Sequence, residues 1–204
     1  MTLDRLRPLA DRAMAPAVSV SVRLGVTPAT VSVVSLLVAG AAALAFVAGG
    51  GWYVVGAVLV FANGWLDLLD GRLARRLGVD SPAGDLLDHV IDRYADVVIL
   101  AGLAAGLGRW GLGFAAVTGV LLTSYLGTQA EAVGLSRVYG GLVGRADRLA
   151  LIAVAAVLEV VVGPIGPALP GGVLTPVGWL LVFLAVVGHL TAVQRFFAAR
   201  GDLA

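Results

Sequence analysis

The chain has 204 residues, of which 59% are hydrophobic and 13% charged, with a mean hydropathy of +0.97 and a formal net charge of +1. Soluble domains carry about 25% charged residues, so the composition excludes an ordinary soluble domain and indicates a membrane protein of one domain's length. Cysteine is absent and every basic residue is arginine, which excludes disulfides, thiolate metal sites and cysteine nucleophiles.

Residues 1–14, MTLDRLRPLADRAM, place Leu3, Leu6, Ala10 and Ala13 on one helical stripe, with Asp4, Arg5, Asp11 and Arg12 mainly elsewhere. That pattern predicts an amphipathic helix lying in the membrane interface over residues 1–22. The first apolar run is too long for a signal peptide, and no cleavage-type end follows it. Thr27-Pro28 reads as an N-cap with proline at the first helical position.

From there, apolar stretches long enough to cross a bilayer recur at 30–48, 52–69, 86–107, 112–133, 148–162 and 173–197. They predict an all-α integral membrane protein: six transmembrane helices over 23–200 plus the interfacial helix, one domain spanning 1–204. Breaks fall at Gly49-Gly50-Gly51, Ser81-Pro82, Gly140-Gly141 and the Pro164, Pro167, Pro170 run. Gly102 and Gly106, four residues apart, suit close helix packing. Gly106–Gly111 spells G-x-G-x-x-G but follows no strand, so a dinucleotide fold is set aside.

Arginines set the orientation. With six crossings, Arg5, Arg7, Arg12, Arg23, Arg72, Arg75, Arg76, Arg137, Arg145, Arg148, Arg195 and Arg200 all fall on one side, and only Arg109 on the other. The positive-inside rule then places both termini and the loop after residue 69 in the cytoplasm of a multi-pass cell-membrane protein. Trp52, Trp110 and Trp179 suit anchoring at the outer interface.

Between Asp67 and Asp96 lie seven of the thirteen acidic residues. Carboxylates at a bilayer edge cost about 2.5–3.5 kcal/mol each, so four would cost about 10 kcal/mol, comparable to the whole stability of a domain. On a helix, Asp85, Asp88, Asp92 and Asp96 share an arc of about 80°, and Asp67 and Asp70 lie one turn apart at the end of the preceding span. A short connection makes the two helices antiparallel neighbours, so both carboxylate faces can converge. Oxygen-only ligands suit Mg²⁺ or Mn²⁺, and two such ions about 4 Å apart can hold a diphosphate and activate a hydroxyl. Gly71 and Ala74 clear one face of the helix end, and Arg75 can fork onto phosphate; Asp70-Gly71 could instead be merely a helix C-terminus. Asp80 reads as a solvated loop residue, and Asp96 as a partner of Arg93 or a further metal ligand. His89 reads as either a partner of a ligand carboxylate or a headgroup-facing residue, and His189 as structural.

Asp67, Asp70, Gly71, Ala74, Arg75, Gly84, Asp88 and Asp92 together resemble the signature of the CDP-alcohol phosphotransferase family, Asp-x2-Asp-Gly-x2-Ala-Arg, about eight residues, then Gly-x3-Asp-x3-Asp. The resemblance implies a six-helix membrane enzyme, usually a homodimer, with a cytoplasm-facing site. Its implied reaction moves the phosphatidyl (or archaetidyl) group of a CDP-linked lipid donor to a small alcohol acceptor, with CMP leaving. It further implies that Asp67, Asp70, Asp88 and Asp92 hold two divalent ions, Mg²⁺ or Mn²⁺, and that Asp92 doubles as general base. Asp67, Gly71, Ala74, Arg75 and Gly84 would bind the CDP donor.

Ser124–Ala132, Gly144–Leu151 and Val193-Gln194-Arg195 are similar to segments of phosphatidylinositol-phosphate synthases in that family, where basic residues bind the acceptor phosphate. Arg145, Arg148 and Arg195 stand at matching places, while Gly127 and Gln129 replace basic residues of the fourth helix. The expected acceptor is therefore phosphorylated, glycerol 3-phosphate first and inositol phosphate second. Arg137 reads as an ordinary positive-inside residue, Arg195 as acceptor ligand or snorkelling cation, and Gln129 and Glu131 as substrate or helix contacts. The competing function is a cation transporter or channel using the same carboxylates, although the second half carries no matching acids. A scaffold that merely kept the motif is a further alternative. No basic–aromatic surface points to nucleic acid.

Overall fold

A computed structural model describes residues 7–135, 143–166, 168–169 and 172–203. Among these residues seven helices run in order, α1 Arg7–Arg23, α2 Pro28–Ala48, α3 Trp52–Leu77, α4 Pro82–Gly106, α5 Trp110–Ala132, α6 Arg145–Val162 and α7 Pro176–Asp202. A two-strand antiparallel hairpin, β1 Ala168–Leu169 and β2 Gly172–Val173, sits before α7 and was not foreseen in the sequence. Arg137 and the Gly140-Gly141 break lie outside the described residues, as do Leu3 and Leu6 of the predicted stripe.

Local chemistry sets the helix starts. The Thr27 hydroxyl accepts from Thr30 N at 3.2 Å, Ser81 from Gly84 N at 3.1 Å and Thr175 from Gly178 N at 3.4 Å, each followed by proline at the first helical position. α3 ends at Gly78, whose φ of 65° is the left-handed conformation that closes a helix. The helix therefore runs two turns past Asp70-Gly71, which is not its C-terminus: the Arg-rich segment is helical and projects Arg75 from the same rod as the aspartates.

Among the described residues four helices, α2, α3, α5 and α7, are long and apolar enough to cross a membrane. The other two of the bundle, α4 and α6, are the more charged: α4 carries Asp85, Asp88, Asp92, Arg93 and Asp96, and α6 carries Arg145, Asp147, Arg148 and Glu159. Packing closes a ring, α2 on α3, α3 on α6, α6 on α7, α7 on α5, α5 on α4 and α4 on α2. Its shared core includes Phe46, Val60, Ile99, Leu103, Ile152 and Leu181, all buried.

One expectation needs correction. α3 and α4 are not neighbours along their lengths; each packs mainly on α2, which lies between them. The reason is the small-residue contact foreseen at Gly102 and Gly106. A Cβ on Gly102 would lie 2.5 Å from Ala43 Cα, and one on Gly106 would lie 2.2 Å from the Phe46 carbonyl oxygen. α2 is tied to α3 by fully buried Asn63, whose Nδ2 donates to Ser35 O at 2.9 Å and Ser35 Oγ at 2.8 Å. Among the described side chains of α1, Met14 is buried, clustered with Val31, Leu69 and Leu73 and flanked by Ala17 and Val18. Ala13 of the predicted stripe is exposed.

Candidate active site at the facing ends of α3 and α4

Although α2 separates the two helices, their aspartates meet near the turn that joins them. Carboxylate oxygens of Asp67, Asp70 and Asp88 lie within 4.8 Å of one another. Asp70 is 4% exposed. Its Oδ2 accepts from the Ser32 hydroxyl of α2 at 2.9 Å and its Oδ1 from Gly71 N at 2.6 Å. Three acids brought this close repel one another, and a set of oxygen donors alone suits a hard divalent cation.

Asp92 stands outside that trio. Its Oδ1 is 2.9 Å from Nη2 of Arg145, whose Nη1 is 2.6 Å from Asp67 Oδ1. One guanidinium from the first turn of α6 thus bridges the two acidic helices. The start of α6 is fixed by Asp147, whose Oδ2 accepts from Gly144 N at 3.1 Å. One turn into α4 from Asp92, Asp96 is 3% exposed and takes Arg148 Nη2 at 2.6 Å and Arg93 Nη2 at 3.3 Å, with Arg145 Nε at 3.8 Å. The pairing of Asp96 with Arg93 is present, joined by two further arginines.

Beside the trio opens a cavity of about 640 Å³, within the usual size of small-molecule sites. Gly71, Ala74, Arg75 and Gly84 all line it, together with Asp70 and Asp88. Asp67 is not among its lining residues; it faces the Arg145 side. Asp80, read as a loop residue, is exposed and also lines this cavity. Sequence reasoning missed Pro28, Ala29 and Ser32, the start of α2 that forms a further wall. The Thr27-Pro28 cap marked that helix start, but nothing local indicated that it faces the aspartates.

Arg145 and Arg148 converge on Asp96. Arg195 approaches from α7, donating from Nη1 to the Thr123 carbonyl at 2.6 Å, and Thr123 and Arg148 border one small cavity of about 20 Å³. Gly127 is buried, while Gln129, Glu131, Val193 and Gln194 are exposed. His89 Nδ1 lies 2.9 Å from the carbonyl oxygen of Asp85 and 3.5 Å from its carboxylate. His189 pairs with Thr118 at 3.3 Å between α5 and α7, the structural role expected of it.

Comparison with known proteins fits this arrangement. Residues 25–190 match the CDP-alcohol phosphatidyltransferase family. The chain is 32% identical over 206 residues to the phosphatidylinositol phosphate synthase of Cutibacterium acnes, covering 97% of each chain. It is 28% identical over 202 residues to the archaetidylinositol phosphate synthase of Pyrococcus horikoshii, covering 98% of each. Among solved structures it resembles Mycobacterium tuberculosis phosphatidylinositol phosphate synthase with CDP-DAG bound, with a TM-score of 0.77, 28% identity and coverage of 92% of this chain and 94% of that one. The same enzyme in complex with manganese and citrate aligns with a TM-score of 0.76 at 27% identity, covering 90% of this chain and 87% of that one. A match over most of the sequence, a relative above 30% identity along nearly its full length and a shared fold lead to one conclusion: the chain belongs to the CDP-alcohol phosphatidyltransferase family, enzymes of phospholipid biosynthesis that use divalent metal ions.

Proposed function

We propose that the protein transfers a phosphatidyl or archaetidyl group from a CDP-activated lipid to a hydroxyl of inositol phosphate, releasing CMP. The observation that carries this reading is the pair Arg145 and Arg148, two mostly buried guanidinium groups gathered against the aspartate face of α4. Forked donors of this kind recognise phosphate. The names of the relatives favour inositol phosphate over glycerol 3-phosphate, reversing the order drawn from the sequence alone. Diacylglycerol and archaeol donors both have relatives in support.

In this reading the whole of residues 1–204 forms one domain with six crossings, α4 and α6 being the two whose charges face inward and pair with each other. α1 lies at the interface, both termini and the site face the cytoplasm, and the protein works as a homodimer, as the family resemblance implies.

Asp67, Asp70 and Asp88 supply a compact oxygen cage, and Asp92 completes the ligand set for two Mg²⁺ or Mn²⁺ ions. Such ions, when bound, neutralise the donor diphosphate and polarise the phosphorus under attack. Gly71 and Ala74 let the nucleotide approach the α3 backbone, Arg75 reaches a phosphate, and Gly84 keeps the opposite wall low. Arg145, Arg148 and Arg195 hold the acceptor phosphate. Because Arg145 already touches Asp92, a phosphate on that guanidinium brings the acceptor hydroxyl toward the Asp92 carboxylate. Asp92 takes the hydroxyl proton as oxygen attacks the lipid-bearing phosphorus, and the bond to CMP breaks.

The direct test supplies purified protein in lipid with a CDP-activated donor and Mn²⁺, scoring CMP release with inositol phosphate, glycerol 3-phosphate, serine and inositol. Inositol phosphate is expected to support the fastest release. A faster rate with glycerol 3-phosphate would return the acceptor to the other phosphorylated alcohol, and a faster rate with inositol or serine would remove the arginines' assigned role.

Ser32 gives a second expected outcome. Its hydroxyl orients the Asp70 carboxylate, and loss of such a supporting hydrogen bond typically weakens metal binding by about 10–100-fold. Ser32→Ala is expected to weaken Mn²⁺ binding in that range, measured by electron paramagnetic resonance titration. Unchanged Mn²⁺ affinity would separate Asp70 from the metal site.

A further inference from the structure

We infer that Asp96 is a positioning residue for acceptor recognition: held inside the bundle, it anchors Arg148 and Arg145 so that their remaining donors meet the acceptor phosphate. The inference rests on the proposed phosphorylated acceptor. It goes beyond the eight-position motif, of which Asp96 is not a part.

Three guanidinium groups surround this one carboxylate. Arg148 Nη2 binds Oδ2 at 2.6 Å, Arg93 approaches the same oxygen at 3.3 Å, and Arg145 Nε stands 3.8 Å from Oδ1. The Asp96 side chain is 2% exposed, Arg148 9% and Arg145 14%. A charge this deep persists only when paired. Counted over the whole cluster, Asp67, Asp92 and Asp96 balance Arg93, Arg145 and Arg148, so removing Asp96 leaves an excess cation in the interior.

A structural ion pair would normally satisfy both partners. Arg148 is instead bound through one nitrogen, and its buried Nε has no hydrogen-bond partner among the described residues. Arg145 meets its three carboxylates by charge and proximity, yet none of its nitrogens makes a well-aligned hydrogen bond among the described residues. Donors buried without aligned acceptors are costly, and a site for an oxyanion accounts for them. An unanchored arginine side chain must give up much rotamer freedom to bind a phosphate. Asp96 fixes Arg148 in advance and joins Asp67 and Asp92 in holding Arg145, from one turn beyond Asp92 on the same helix face. The acceptor phosphate then docks beside the carboxylate that takes the hydroxyl proton.

Asp96→Asn keeps the shape and one acceptor oxygen but removes the charge. With inositol phosphate as the varied substrate, the variant is expected to raise the acceptor KM by about tenfold or more. The donor KM and Mn²⁺ affinity should stay at wild-type values. Asp96→Glu, which restores the charge at a displaced position, is expected to show a smaller rise, and Arg93→Gln almost none. Thermal melting in detergent identifies any variant that does not fold, in which case Asp96→Glu carries the test. An unchanged acceptor KM in either folded variant overturns the inference. So does an equal loss with every substrate and metal, or failure of both variants to fold. Wild-type protein distinguishes this from failure of the acceptor reading: if another phosphorylated alcohol is preferred, the same comparison is made with that alcohol. If an unphosphorylated alcohol is preferred, the acceptor reading itself has fallen.

Discussion

Asp92→Asn is expected to lower CMP release at saturating donor and acceptor by at least a hundredfold, within the range of about 10²–10⁴ that general-base groups contribute. Asparagine preserves the volume at a position 15% exposed, and Arg145 keeps its 2.6 Å contact with Asp67, so the helix contact survives. What disappears is the group that accepts the hydroxyl proton. Asparagine keeps one oxygen for a metal ion, so at saturating Mn²⁺ the loss should sit in kcat, with donor KM and the melting temperature little changed. Asp88→Asn offers the contrast, because Asp88 belongs to the trio within 4.8 Å and its removal should weaken Mn²⁺ binding first. CMP release near the wild-type rate in Asp92→Asn would end the assignment of the base.

The difference between those two aspartates was only partly legible in the sequence. Spacing places Asp88 and Asp92 on one face of α4, and the motif groups both with Asp67 and Asp70. It does not say that Arg145, more than fifty residues away, inserts between Asp67 and Asp92 while Asp88 joins Asp70. Helical periodicity reports which residues share a face, never which helix that face meets. For the same reason the central placement of α2 went unread. The turn at residues 78–81 argues for neighbouring helices, whereas Gly102 and Gly106 against Ala43 and Phe46 draw α4 onto α2. Ser32 was invisible because a lone serine in an apolar span has many ordinary explanations. The Thr27-Pro28 cap, the breaks at Gly49-Gly50-Gly51 and Ser81-Pro82 and the small-residue contact were legible because each depends on residues within a turn of one another. Of the two readings open at Asp70-Gly71, the helix end is the one the structure removes. Glycine is common at helix ends, but the αL conformation that marks an end falls at Gly78.

Arg145→Gln is expected to move two measurements in opposite directions. The guanidinium now contacts Asp67 at 2.6 Å and Asp92 at 2.9 Å, so it competes for carboxylates that a divalent ion would also use. Removing its charge raises the local negative potential, and Mn²⁺ binding should tighten. The same change deletes a phosphate-binding fork, where a hydrogen bond to a charged group is worth about 1.5–3 kcal/mol, equivalent to about 10–150-fold in affinity. The KM for inositol phosphate should rise by that factor even though the metal site is fuller. A purely structural arginine would not divide its effects in this way, since a loosened bundle weakens metal and acceptor together. Arg145→Lys sharpens the comparison: it keeps the charge and loses the planar fork, so metal affinity should return toward wild type while the acceptor KM stays high. Parallel weakening of Mn²⁺ and inositol phosphate binding in Arg145→Gln, at an unchanged melting temperature, would show that the arginine does not stand between the two sites. The metal trio and the acceptor cluster would then act independently, instead of being coupled through one guanidinium that each must share.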